Sequence, residues 1–259
     1  MKQELLVVKI GGNVIEDEKK LHSFLADFAK IDQPKILVHG GGKLATQLAS
    51  KLNVKTEMID GRRITSSENL DIVVMTYAGL LNKKIVAQLQ KNDCNAIGLS
   101  GADGNSIQSK KREVKMVDYG WVGDVVQVNH SFIHQLITAG VIPVFCAVTH
   151  DKEGHLLNTN ADTIAATVAT GMCTLYKTSL FYCFELKGVL KDIKDKDSVI
   201  SEIDLKTYDQ LVENGSIADG MLPKLHNCFE ALKSGVEKVH IANSEFLKNP
   251  EIVHTVLRL

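Results

Sequence analysis

Little in this chain belongs to a membrane protein, an extracellular scaffold or a nucleic-acid binder. Neither charge sign dominates: 30 basic side chains meet 31 acidic ones over 259 residues, for a net charge of −1. Association with nucleic acid or an anionic membrane draws on clustered positive charge, so a small molecule is the better partner. The five cysteines, at positions 94, 146, 173, 183 and 228, are odd in number and show no CxxC spacing. Each falls in or beside an apolar stretch, which predicts buried, reduced thiols and a cytoplasmic protein. No cluster of metal-ligating residues stands out. The apolar run in MKQELLVVKIGG is too short for a signal peptide, and the stretch from Leu136 to Val148 is broken by Gly140 and Pro143 and cannot span a bilayer. What is there is 44% apolar residue, enough for a large core in one or two domains.

Short runs rich in Val and Ile alternate with longer amphipathic segments. LLVVKI (5–10) reads as a strand, and Leu21, Phe24, Leu25 and Phe28 mark the helix after it. KILVHG (35–40) reads as a second buried strand, GKLATQLASKL as its helix, and AIGLSG, VIPVFCAV, LFYCFEL and KVHIA as later strands. This alternation predicts an α/β fold with a mainly parallel sheet covered on both faces, a three-layer α-β-α sandwich. Residues 67–91 read as one long helix entered through Thr-Ser-Ser-Glu, which offers a capping hydroxyl and a nearby carboxylate. Residues 107–128 break the pattern; their alternation around Gly120 predicts an antiparallel hairpin inserted at the sheet's edge. A soft division is expected near residue 175, giving 1–175 to one ligand and 176–259 to another.

Two glycine-rich strand ends carry chemistry. HGGGK (39–43) follows a strand and opens a helix, where bare amides and the positive helix end can receive an anion. Its glycines allow close approach and positive φ angles, although a simple tight turn fits as well. It is neither a Walker A loop nor a GxGxxG fingerprint. KIGGN (9–13) repeats the arrangement one strand earlier, and the two would lie side by side where open α/β sheets bind ligands. Lys9, inside an otherwise apolar strand, must be paired, snorkel to the strand's end or serve a ligand. NTNADTIAATVATG (158–171) opens a helix that Asn160 can cap, with Asp162 in its first turn; Asn158 and Asn160 are one strand period apart. DGMLPKLHNCFEAL (219–232) opens another, with Asp219 as the cap candidate and Lys224 placed against the helix dipole. GRRIT (61–65) supplies two arginines, the natural bidentate partners of a carboxylate.

In order along the chain, KIGGN, HGGGK, GRRIT, GLSGADG, GWVGDV, NTNAD, LKGVL and DGMLPK resemble the amino acid kinase family, and within it the acetylglutamate kinases. The resemblance runs from residue 7 to about residue 240, and GxRxT followed by NxNAD points to the acylglutamate branch. It implies phosphorylation by MgATP of the side-chain carboxylate of N-acetyl-L-glutamate, giving an acyl phosphate in arginine biosynthesis. Carried over, Lys9 and Lys224 stabilise charge on the transferring group and Asp162 orients both. Gly41 and Gly42 donate amides to the acceptor, Arg63 grips its α-carboxylate, and Asn158 and Asn160 position it. The nucleotide lies over Gly11, Gly12, Glu185, Gly188, Leu190, Ile217 and Met221. The chain begins at its first strand, without the N-terminal helix that the resemblance associates with hexameric, arginine-inhibited relatives, so a homodimer insensitive to arginine is expected, with helix 67–91 as the dimer surface, although an internal core helix would read the same way.

This sequence departs from the family pattern at three places. Glu185 stands where an Asp is usual, Phe184 replaces a small hydroxyl residue, and Arg62 replaces an apolar one. Arg62 would suit an acyl group with its own carboxylate, such as succinyl, or simply face solvent. Rival readings are a family member acting on carbamate, aspartate, glutamate or UMP, and a regulator that binds nucleotide or amino acid without catalysis.

Overall fold

The computed structural model describes residues 2–59, 61–192, 194–213 and 221–259, with only the backbone at 222 and 223. In chain order the strands and helices are β1 (Glu4–Ile10), α1 (Gly12–Glu16), α2 (Glu18–Ala29), β2 (Lys35–His39), α3 (Gly42–Lys51), β3 (Glu57–Ile59), β4 (Arg62–Ile64) and α4 (Ser67–Val73). A π-helical stretch, Val74–Leu81, joins α4 to α5 (Asn82–Lys91). There follow β5 (Ala96–Leu99), β6 (Ile107–Lys111), β7 (Gly123–Val128), α6 (His130–Thr138), β8 (Ile142–Cys146), β9 (Val148–His150), β10 (Leu156–Asn158) and α7 (Ala161–Met172). The last elements are β11 (Lys177–Cys183), β12 (Glu202–Ile203), α8 (Leu205–Glu213), α9 (Leu222–Lys233), β13 (Lys238–Ala242) and β14 (Thr255–Leu257).

The chain packs as two units, one of Met1–Ile36 with Ala165–Leu259 and the other of Leu37–Ile164. A single cut near residue 175 does not separate them, because β1 pairs in parallel with β11 from Glu4↔Lys177 to Ile10↔Cys183. The first strand is thereby built into the same unit as the last ninety-odd residues of the sequence.

In the discontinuous unit the strands run β12-β14-β13-β11-β1, parallel except where β13 meets β14. Leu5, Leu6, Val7 and Val8 are all buried in succession, as expected of a strand covered on both faces. Over α2, Leu21, Phe24, Leu25 and Phe28 are buried at the spacing of one helix face, and the Asp17 side chain caps the first turn by accepting from Lys19 N and Lys20 N. Lys35, 5% exposed, closes the other end: its Nζ donates to the carbonyls of Phe28, Ala29 and Ile31 at 2.8, 2.8 and 2.6 Å. A buried ammonium is tolerated there because it satisfies carbonyls that the helix leaves open.

In the continuous unit β2, β8 and β5 are neighbours in that order and all parallel. The fold class is thus α/β with a mainly parallel sheet. The 107–128 region does form an antiparallel pair, β6 with β7, but it does not extend that sheet. It belongs to a separate four-stranded sheet of order β10-β9-β6-β7, to which β6 is tied by the parallel pairing of Gln108 with His150. Strands β9 and β10 hold three residues each and surround the polar turn DKEGH, so no alternating pattern announces them. The single helix expected over 67–91 is continuous, with Ser66 Oγ accepting from Asn69 N, but its middle is π-helical.

Two histidines carry pH dependence. His39 is fully buried; its Nδ1 donates to Gly40 O at 2.8 Å and its Nε2 meets Asn82 Nδ2 at 3.0 Å. The carboxamide nitrogen only donates, and it also reaches Val144 O at 3.0 Å, so Nε2 accepts and the ring is neutral. Burial pushes the His39 pKa down to about 4. His240, in the discontinuous unit, is pushed to about 4 by burial and then by the His254 ring, 3.0 Å away. Both folded values lie below the unfolded one, so their contribution is complete above pH ~6.5 and is lost as pH falls towards about 4; for His39 it amounts to about 3 kcal/mol. Melting temperature should therefore be flat from pH 8 to pH ~6.5 and fall steeply below it. In His39→Gln the chain should be less stable at pH 7.5 but decline less steeply; a slope equal to wild type assigns the decline to other groups.

Candidate active site

Each unit contributes a set of functional side chains. In the discontinuous unit, β1 ends at Ile10 and Gly11 turns the chain into α1. A Cβ on Gly11 would stand 2.6 Å from the carbonyl oxygen of Cys183, so only glycine lets this loop lie against the end of β11. A cavity of about 280 Å³ opens here, lined among others by Lys9, Gly11, Gly12, Asn13, Phe184, Glu185, Gly188, Met221 and Lys224. Lys9 leaves β1 one residue before its end, and Lys224 stands in the first turn of α9. Their ammonium groups lie over the same Phe184 ring, at 5.9 and 4.4 Å from its centre. Lys224 is therefore a lining group of this cavity. The helix it sits on has Met221 as its N-cap without a side-chain cap bond; Asp219, the expected cap, lies outside the described residues, as does Ile217.

Within the cavity lining Asn13 Nδ2 donates to Glu185 Oε1. The LKGVL turn is pinned from behind by Thr255, fully buried, whose Oγ1 accepts from Val189 N at 2.8 Å and donates to Ile200 O at 2.7 Å. Thr255 was silent in the sequence because it acts through a strand 66 residues away. Leu190 is not among the lining residues; it bridges to Val199. Cys183 closes the strand below, and burial pushes its thiol up to about 12 against the pull of Lys9. No reactive thiolate is present there.

In the continuous unit, β2 ends at His39 and the glycines lead into α3, whose N-cap is Gly41 without a side-chain cap bond. None of Gly40, Gly41 and Gly42 adopts the left-handed φ that the sequence suggested. The requirement is space: a Cβ on Gly41 would come within 2.8 Å of the Tyr77 ring. Arg63, 6% exposed, enters from β4 beside this helix start. Its guanidinium donates to Gly42 O at 2.9 Å, Thr46 Oγ1 at 2.8 Å and Thr56 Oγ1 at 3.2 Å. All three acceptors are neutral, so the buried charge is held in place without being balanced by a carboxylate among the described residues. Arg62, the next residue on β4, is exposed and pairs opposite Ile59.

Asn158 closes β10, and its Nδ2 donates to Thr65 Oγ1 at 3.0 Å. Asn160 caps α7, its Oδ1 accepting from Asp162 N at 2.8 Å and Thr163 N at 3.1 Å. Capping thus uses the Asn160 oxygen and leaves its amide nitrogen for a ligand. Asp162 lies in the first turn of α7. Asp151, Glu153 and His155 bring possible metal-ligand atoms within 4.8 Å of one another. The Asp151 carboxylate is already held by Glu153 N, His155 N and His155 Nδ1, which makes this a self-bonded turn. No helix among the described residues is long and apolar enough to cross a membrane.

The sequence pattern of the amino acid kinase family matches residues 4–243. The acetylglutamate kinase of Cytophaga hutchinsonii is 52% identical over 246 residues, covering 95% of this chain and 93% of that protein. The acetylglutamate kinase of Bacteroides thetaiotaomicron is 50% identical over 251 residues, covering 97% and 98%. Among solved structures, a Streptococcus mutans protein shares the fold with a TM-score of 0.80 at 24% identity, over 98% of each chain. Carbamate kinase from Giardia lamblia shares it with a TM-score of 0.69 at 14% identity, over 99% and 98%. The two glycine loops, the lysine at a helix start and the mainly parallel sheet agree with a match spanning nearly every residue, and the chain belongs to the amino acid kinase family.

Proposed function

We propose that the chain transfers the terminal phosphoryl group of ATP to the side-chain carboxylate of N-acetyl-L-glutamate, giving an acyl phosphate in arginine biosynthesis. The observation that carries this reading is Arg63: a buried guanidinium beside a glycine-rich helix start, tethered among the described residues to neutral oxygens, suits the α-carboxylate of an acylated amino acid. Gly41 and Gly42 offer amides at the same helix start, and Asn158 and Asn160 offer carboxamides to the acylated end. Support also comes from the acetylglutamate kinases that are about half identical to this chain over nearly its whole length.

The nucleotide is assigned to the cavity of the discontinuous unit, over Gly11, Gly12, Glu185, Gly188 and Met221, with Leu190 behind the turn and Ile217 carried over from the family pattern alone. Lys9 and Lys224 face this cavity and would cancel charge that spreads over the transferring phosphoryl group. Asp162 is assigned their orientation. A carboxylate acceptor is already ionised at pH 7, so the reaction needs no general base; in-line positioning and preorganised positive charge supply the rate. Among the described residues Glu185 is the one carboxylate lining the cavity, and with the two ammoniums it fits a nucleotide that brings Mg²⁺ on its own phosphates. A homodimer through the 67–91 helix belongs to the same proposal: Met75 and Leu80 are about half exposed there, at 50% and 48%, whereas Ile72 and Ile85 are core residues.

A second reading of the acceptor follows from Arg62, which is exposed beside Arg63 and would pair with the distal carboxylate of N-succinyl-L-glutamate.

Trapping the product with hydroxylamine should give a hydroxamate from ATP and an N-acylglutamate; ATP binding without product from any acceptor would instead mark a regulator. Lys9→Ala and Lys224→Ala should each lower kcat by about 10²–10³, with smaller changes in KM. Arg63→Ala should raise the KM for the acylglutamate about a hundredfold while leaving that for ATP near wild type. If Arg62 reads a distal carboxylate, Arg62→Ala will lower kcat/KM for the succinyl acceptor at least tenfold more than for the acetyl one; an unchanged ratio assigns Arg62 to solvent.

A further inference from the structure

The π-helical stretch between α4 and α5 places a residue at the acceptor loop that no motif marks. Tyr77 lies within it, and the Asn82 N–H donates to the Tyr77 carbonyl five residues back, the bond that defines the π register. Asn82 is fixed in turn by its side-chain bonds to His39 and Val144 O. The Tyr77 backbone is therefore tied to the network that sets the Gly40 carbonyl.

The side chain follows from this placement. Tyr77 is 6% exposed, and its ring lies where a Cβ on Gly41 would come within 2.8 Å of Cδ1 and 2.9 Å of Cε1. A Cβ on Gly42, the first residue of α3, would lie 3.7 Å from the Tyr77 hydroxyl. The phenol thus runs along the glycine loop and ends at the helix start, where Gly41 provides no capping side chain. Among the described residues the hydroxyl makes no hydrogen bond, and it is not one of the polar atoms closed off from solvent. The side chain is more than nine-tenths buried while its hydroxyl still reaches solvent, so a ligand oxygen at the helix start could take the place of water there. Burial pushes the phenol pKa up, with Arg63 pulling the other way, so the group is protonated and able to donate.

We infer that the Tyr77 hydroxyl is a further substrate-binding donor, reaching a carboxylate oxygen of the acceptor beside the Gly41 and Gly42 amides. The inference deepens the proposed function and rests on it. Tyr77→Phe removes one oxygen and keeps the ring against Gly41; Tyr77→Leu removes both oxygen and ring. KM for N-acetylglutamate should rise about tenfold or more in Tyr77→Phe and by at least as much in Tyr77→Leu, with the KM for ATP within about twofold of wild type. Melting temperature, measured alongside, should stay near wild type in Tyr77→Phe. An acceptor KM unchanged in Tyr77→Phe overturns the inference, and a loss confined to Tyr77→Leu makes Tyr77 a packing residue. Wild-type protein that phosphorylates no N-acylglutamate overturns the proposed function itself, and with it this role.

Discussion

One proton on one buried imidazole sets the HGGGK loop of the continuous unit. With hydrogen on Nδ1, His39 holds the Gly40 carbonyl and accepts the Asn82 carboxamide. Asn82 closes the π-helical turn through its backbone and reaches Val144 on the neighbouring strand through its side chain. Room for that carboxamide comes from Gly98, where any Cβ would collide with Asn82. Strand end, glycine loop and helix are therefore positioned by a single neutral tautomer. A charged ring would lose the acceptor that Asn82 needs and would have to be desolvated in a fully buried site.

The discontinuous unit is organised by a different balance. Two ammonium groups lie over the Phe184 ring, and each cation–π contact is worth about 0.5–2 kcal/mol, enough to orient a flexible side chain. A polyphosphate would bring charge of the opposite sign to both. Phe184, out of character for the family pattern, thus acts as an uncharged wall behind two cations. The thiol beneath them stays protonated through burial, so the cavity's chemistry is carried by fixed charge.

The buried strands and the helices bearing Phe24 or Lys224 were legible because their periodicities are long and their flanking glycines sharp. The glycine loops and Arg63 were equally visible, since glycines and charges inside apolar stretches demand a reason. What escaped was non-local. Residues 107–128 alternate as any hairpin does, and only the pairing of Gln108 with His150 decides which sheet they join. Tyr77 sat inside an ordinary helical pattern, and Thr255 in a three-residue strand, so neither carried a mark of its role. Of the two freedoms expected of the HGGGK glycines, close approach is the one used: Gly41 provides clearance for an aromatic ring, with no left-handed backbone. A single sequence division near residue 175 could not anticipate a unit assembled from both ends of the chain.

The pairing of β1 with β11 also orders events during synthesis. Residues 37–164 form a contiguous unit and can complete their contacts as they emerge, while Glu4 must wait for Lys177. Until then β1, with four consecutive buried apolar residues, has no native partner on one side of its ladder, and the loop to be closed is most of the chain. The nascent protein thus carries an apolar strand with one open edge throughout translation of the middle unit, which makes that edge a natural target for chaperones and a weak point for aggregation.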